Sequence, residues 1–73
     1  MKSFYHYMMR YRANKQLNNE RKLAEWMFHD HEFPKQTTDY HEISEYLEWN
    51  TPFTEAIVTF DEMWEEYQEA EKP

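Results

Sequence analysis

Seventy-three residues with a formal net charge of −7, no cysteine and no glycine exclude several classes of protein at once. There is room for one domain, over residues 1–73, but no material for a disulfide, a thiolate zinc site or a glycine-rich phosphate loop. No apolar run approaches the roughly 20 residues of a membrane span and no signal-peptide core follows Met1-Lys2, so a cytoplasmic chain without a membrane partner is expected.

A chain this short buries only about 60% of the surface that its unfolded form exposes, so its core must be dense. Three Trp, six Tyr, five Phe and five Met can supply that density, since each buried aromatic removes roughly 150–250 Å² from water. Charge is divided along the chain. Residues 1–22 carry six basic groups against one acid, and residues 23–73 carry two basic groups against fourteen acids. An acidic surface repels a phosphate backbone, which disfavours a dedicated nucleic-acid binder, although the basic segment allows a local patch.

The first helix is expected to start on Ser3 as N-cap and to run to about Arg12. Phe4, Tyr7, Met8 and Tyr11 form its buried stripe, widened by Tyr5 and Met9. A second helix, capped by Asn18 or Asn19 and running to about Asp30, buries Leu23, Ala24, Met27 and Phe28, with Trp26 flanking. Phe33-Pro34 ends it, because the residue before proline is pushed out of the helical region. Asp39 followed by Glu42 reads as an acidic capping box that opens a third helix over Tyr40–Trp49, with Tyr40, Ile43, Tyr46 and Leu47 inward. Thr51-Pro52 reads as the N-cap and first residue of a short fourth helix ending near Val58. Thr59 and Glu62 form another capping box for a fifth, in which Phe60, Met63, Trp64 and Tyr67 face inward. Without glycine, the helix ends are expected to use Asn14, Asn18, Asn19 and Asn50 as the residues most tolerant of the left-handed conformation. The expected fold is all-α with five short helices.

Four stretches carry a resemblance: Ser3-Phe4-Tyr5-His6-Tyr7; Asp30-His31-Glu32-Phe33-Pro34-Lys35; Asp39-Tyr40-His41-Glu42-Ile43-Ser44 with Tyr46-Leu47-Glu48; and Phe60-Asp61-Glu62-Met63-Trp64 with Tyr67. Together, and in this order, they resemble the YozE family of small Firmicute proteins. The resemblance implies a SAM-like (sterile alpha motif-like) fold, so that the five helices become a compact orthogonal bundle, and a bacterial cytoplasmic origin. It brings no catalytic or ligand residues with it, and fold alone does not imply function.

Candidate chemistry is thin. The four histidines, His6, His29, His31 and His41, lack the His-Glu-x-x-His spacing of a zincin. His29 and His31 point about 200° apart on a helix, so no metal site is expected. His31 and His41 read instead as structural groups that hydrogen-bond near the Phe33-Pro34 turn. The carboxylates Glu62, Glu65, Glu66 and Glu69 lie on the polar face of the last helix, where solvent keeps them ordinary, whereas acid–base catalysis needs partial desolvation. Ser3 is a cap, Ser44 sits mid-helix, and neither has a base at nucleophile spacing. So small a bundle leaves little room for a pocket of the usual 300–1,000 Å³. No catalytic residue, cofactor or small-molecule substrate is expected, and the chain reads as a non-enzyme.

What remains is surface. Arg10, Arg12, Lys15, Arg21 and Lys22 run from the end of the first helix to the start of the second and are expected to converge on one edge. Arg10 and Arg12 also suit a helix C-terminus, where cations are favoured. This basic edge against the acidic last helix, with exposed aromatics such as Trp26, Trp49 or Tyr5 as anchors, suggests a protein-interaction or regulatory module that binds a protein partner or weakly self-associates. The alternative is a weak nucleic-acid binder that uses the edge at residues 10–22.

Overall fold

The computed structural model describes residues 1–73 and contains four α-helices and no strand. α1 spans Phe4–Met8 and continues as a 3₁₀ segment over Met9–Ala13; α2 spans Asn19–His29, α3 Tyr40–Trp49 and α4 Ala56–Ala70. Three of the expected starts are realised. Ser3 Oγ accepts from the His6 amide at 3.1 Å, Asn18 Oδ1 from the Arg21 amide at 2.9 Å, and Asp39 Oδ1 from the His41 amide at 3.0 Å. Each oxygen satisfies a donor that the first helical turn leaves without an intrahelical partner.

The fifth helix is absent, and the reason lies in Thr51. Its hydroxyl donates backwards to the Leu47 carbonyl at 2.9 Å, while Asn50 Nδ2 donates to the Tyr46 carbonyl at 3.0 Å. Thr51 therefore closes α3 and does not cap a helix after Pro52. Thr59 is no cap either, being buried inside α4. The inward stripe of α4 starts a turn earlier than Phe60, with Ala56, Thr59, Phe60, Met63, Trp64 and Tyr67 all buried, so one 15-residue helix replaces two short ones. The other capping box does not form: Asp39 Oδ1 accepts from the His41 amide and not from that of Glu42, and the Asp39 amide donates to Thr37 Oγ1 instead of the Glu42 carboxylate.

No residue has a positive φ, so none of the asparagines ends a helix in the left-handed conformation. Asn14 leaves the 3₁₀ segment extended, at φ −62° and ψ 136°, and Asn50 leaves α3 at φ −137° and ψ 51°. Side-chain donors and short turns satisfy the terminal carbonyls instead.

The core is one apolar cluster fed by all four helices. Phe4 is its hub, fully buried with its ring 5.3 Å from Phe60, 5.4 Å from Trp64 and 5.5 Å from Tyr67. The Tyr67 hydroxyl donates to the Lys2 carbonyl and the Lys2 amide to Glu71 at 2.7 Å, tying the N-terminal residues to the far end of α4. A second aromatic group joins α2 to α3: the Phe33 ring is met edge-on by Trp26 at 5.9 Å and by Tyr46 at 5.7 Å. Phe33, expected only to end α2, is itself buried core. Phe28 departs the other way: it is 40% exposed even with the Arg12 guanidinium stacked on its ring. Tyr11, Tyr40 and Tyr46 are half-buried, with their hydroxyls placed at polar partners.

Candidate functional site

The cations at residues 10–22 do not form one uniform edge. Arg10 Nε donates to the Tyr7 carbonyl at 3.2 Å, in the last turn of α1, and its guanidinium lies 4.2 Å from the Tyr7 ring centroid. Arg12 is more committed, pairing with Glu25 at 3.0 Å and lying 3.5 Å from the Phe28 centroid. It pins the 3₁₀ segment to α2. Arg21 reaches back to the Lys15 carbonyl at 3.5 Å, bringing those two together, while its buried Nε has no protein partner. Lys22 faces elsewhere, with Nζ 6.0 Å from the Phe53 ring that precedes α4. Lys15 and Lys22 are the exposed cations left over.

The acidic residues of α4 are exposed as expected. Glu65, Glu66 and Glu69 border an open groove of about 810 Å³ beside Tyr7 and the C-terminal residues. Its volume falls within the range of ligand pockets, contrary to the expectation of little room, but its walls are mostly charged and open to solvent. Glu69 is paired with Lys72 at 3.1 Å. Basic and acidic surfaces adjoin at Tyr11: burial and the Tyr7 hydroxyl raise the titration of its phenol, nearby Glu66 raises it further, and Arg10 opposes them. Arg10, stacked on the Tyr7 ring that borders the same groove, is thereby brought to the acidic side of α4.

Trp26 and Trp49 part company. Trp26 is half-buried against Phe33 and Tyr46, so it contributes to packing and offers no free anchor. Trp49 is 82% exposed. It stands at the end of α3 beside a groove of about 410 Å³ lined by Glu42, Glu45, Tyr46, Trp49 and Asn50. Tyr46 is the fixed floor: its hydroxyl donates to Asp30 Oδ2 at 2.5 Å. Burial first, then that donation and the neighbouring carboxylates of Asp30 and Glu32, push the phenol up to about 12. Glu42 and Glu45 take part in none of the ion pairs, which are Arg12–Glu25, His29–Glu25 and Lys72–Glu69. α3 contains neither Lys nor Arg. Sequence reading missed this groove, although Glu42, Glu45, Tyr46 and Trp49 stand at the i, i+3, i+4, i+7 spacing of one helix face.

His31 and His41 are exposed and make no side-chain hydrogen bond at the Phe33-Pro34 turn, contrary to the structural role expected of them. No three His, Asp or Glu side chains are grouped so as to hold a metal ion. No helix is long and apolar enough to cross a membrane.

Residues 3–69 match the family model described as the YozE SAM-like fold. The chain is 48% identical over 68 residues to the UPF0346 protein YozE of Bacillus subtilis, covering 93% of this chain and 92% of that one. It is 44% identical over 66 residues to a UPF0346 protein of Listeria innocua, covering 90% and 86%. The solution NMR structure of the Bacillus subtilis protein superimposes with a TM-score of 0.79, covering 93% of this chain and 83% of that one.

Proposed function

For a chain that belongs to the YozE SAM-like family, we propose a non-catalytic, cytoplasmic protein-interaction module, regulatory in effect, that works through its exposed tryptophan and acidic faces. The observation that carries this reading is Trp49, a large aromatic held 82% exposed on an ordered helix. Tryptophan is enriched among the few residues that dominate binding energy at interfaces. Lone exposed apolar residues are ordinary, but this one borders a groove with carboxylates that nothing in the chain neutralises. Complementary charge speeds and orients encounter, and the aromatic supplies affinity.

The test is light scattering at low and high salt on the wild type and on Trp49→Ala, followed by affinity capture from native bacterial lysate with both proteins. Salt-sensitive self-association, or a captured protein lost on Trp49→Ala, supports the module. A monomer at every salt concentration that captures nothing dependent on Trp49 overturns it.

A second reading, weak nucleic-acid binding, is favoured by exposed Lys15 and Lys22 with Arg21 between them in the chain. Against it stand the net charge of −7 and the commitment of Arg12 to Glu25 and Phe28. Titration with short DNA or RNA decides it. A true binder weakens steeply with salt and fails on Arg10→Glu with Arg21→Glu.

A further inference from the structure

The groove on α3 has a chemistry specific enough to name its occupant. One wall is the Trp49 indole, exposed and free of contact with any cation of the chain. The floor is Tyr46, held in place by Asp30 and by its edge contact with Phe33. Glu42 and Glu45 border it and are unpaired. An aromatic face beside carboxylates suits a side chain that is cationic at its tip and apolar along its stem, and tryptophan is the strongest of the aromatic faces for a cation.

We infer that this groove docks a basic segment of a partner protein, seating an arginine or lysine side chain on the Trp49 indole with its charge toward Glu42 and Glu45. The inference rests on the interaction-module reading above and adds the chemistry of the partner. Charge complementarity selects a foreign basic segment over a second copy of this chain. Each copy carries −7, so copies repel at low salt, where such a contact should be strongest. The chain's own Arg10 and Arg12 are already held by Tyr7, Glu25 and Phe28. Arginine is the better occupant, because its flat guanidinium stacks on the indole while its donors reach a carboxylate.

The test is an NMR titration of the ¹⁵N-labelled full chain with a short synthetic peptide of alternating arginine and serine, with a glutamate–serine peptide as control. Saturable shifts of the Trp49 indole N–H and the Glu42 and Glu45 amides, produced by the arginine peptide alone, are expected. Affinity should fall about tenfold in Trp49→Ala, fall with Glu42→Gln plus Glu45→Gln, and be largely retained in Trp49→Phe. Because Trp49 is exposed, an unchanged spectrum elsewhere shows that its variants remain folded. Shifts confined to Glu65, Glu66 and Glu69 of α4, or no binding at low salt, overturn the inference. So do Trp49 shifts that track protein concentration without peptide, since these mark a second copy as the occupant. The last outcome leaves the interaction-module reading standing, and loss of both this binding and all Trp49-dependent capture removes the two together.

Discussion

The Arg12 guanidinium lies 3.5 Å from the centroid of the Phe28 ring and pairs with Glu25, one helical turn before Phe28, at 3.0 Å. One side chain thus explains two departures from a simple amphipathic pattern: a phenylalanine at the protein surface and a cation withdrawn from the basic edge.

That arrangement should be measurable as coupling. In a double-mutant cycle of Arg12→Ala and Phe28→Ala, urea unfolding is expected to give about 0.5–1 kcal/mol of interaction, the worth of a partly exposed cation–π contact. Additive effects would show the stacking to be energetically idle.

Phe4 should be the most sensitive position in the chain. Its ring meets three aromatics and is wholly buried, so Phe4→Ala is expected to cost about 3–5 kcal/mol by chemical denaturation. Much of a small domain's stability would go with it. Phe4→Leu, which keeps most of the volume, should cost clearly less.

The caps make a finer test. Asp39→Ala is expected to destabilise by about 1 kcal/mol, since Asp39 caps α3. Glu42→Ala should change stability by less than about 0.5 kcal/mol, because the Asp39 amide donates to Thr37 and not to the Glu42 carboxylate. Equal losses at both sites would mean that the full capping box forms in solution.

Alkaline pH should destabilise the fold through Tyr46. Tyrosine is neutral when protonated, and this phenol titrates near 12 when folded against an ordinary value of 10. Its stabilising contribution is therefore complete below about pH 10 and is lost as pH rises to about 12. Tyr46→Phe should flatten part of that fall. It should also cost about 1 kcal/mol at neutral pH, through the lost hydrogen bond to Asp30. A variant as alkali-sensitive as the wild type would assign the transition to the other raised phenols, Tyr11, Tyr40 and Tyr67.

Trp49→Ala should separate binding from stability. An 82% exposed side chain contributes little to folding, so the urea midpoint is expected to shift by less than about 0.5 kcal/mol equivalent. A large loss would mean that the indole packs more closely in solution, and that α3 presents no free anchor.

Local chemistry made much of this molecule legible without coordinates. Ser3, Asn18 and Asp39 cap helices wherever they fall, because a side-chain oxygen beside unsatisfied amides works over a few residues and needs nothing distant. The 3.6-residue periodicity of Phe60, Met63, Trp64 and Tyr67 likewise assigns a buried face before the partner helix is known. Tertiary packing decided the rest. Whether Thr51 capped forwards or backwards depended on the Leu47 carbonyl, which accepts the Thr51 hydroxyl together with the Asn50 amide, and whether Thr59 opened a helix depended on the core that buries it. Phe33 became core because Trp26 and Tyr46 converge on it from two helices, while Phe28 stays outside it, under the Arg12 guanidinium. The same division runs through the surface. Composition announces a basic segment and an acidic remainder, but only folding consumes Arg12 and Trp26 in packing and leaves Trp49 exposed beside unpaired Glu42 and Glu45. Residues distant in sequence compete for the same partners, and that competition is settled in three dimensions.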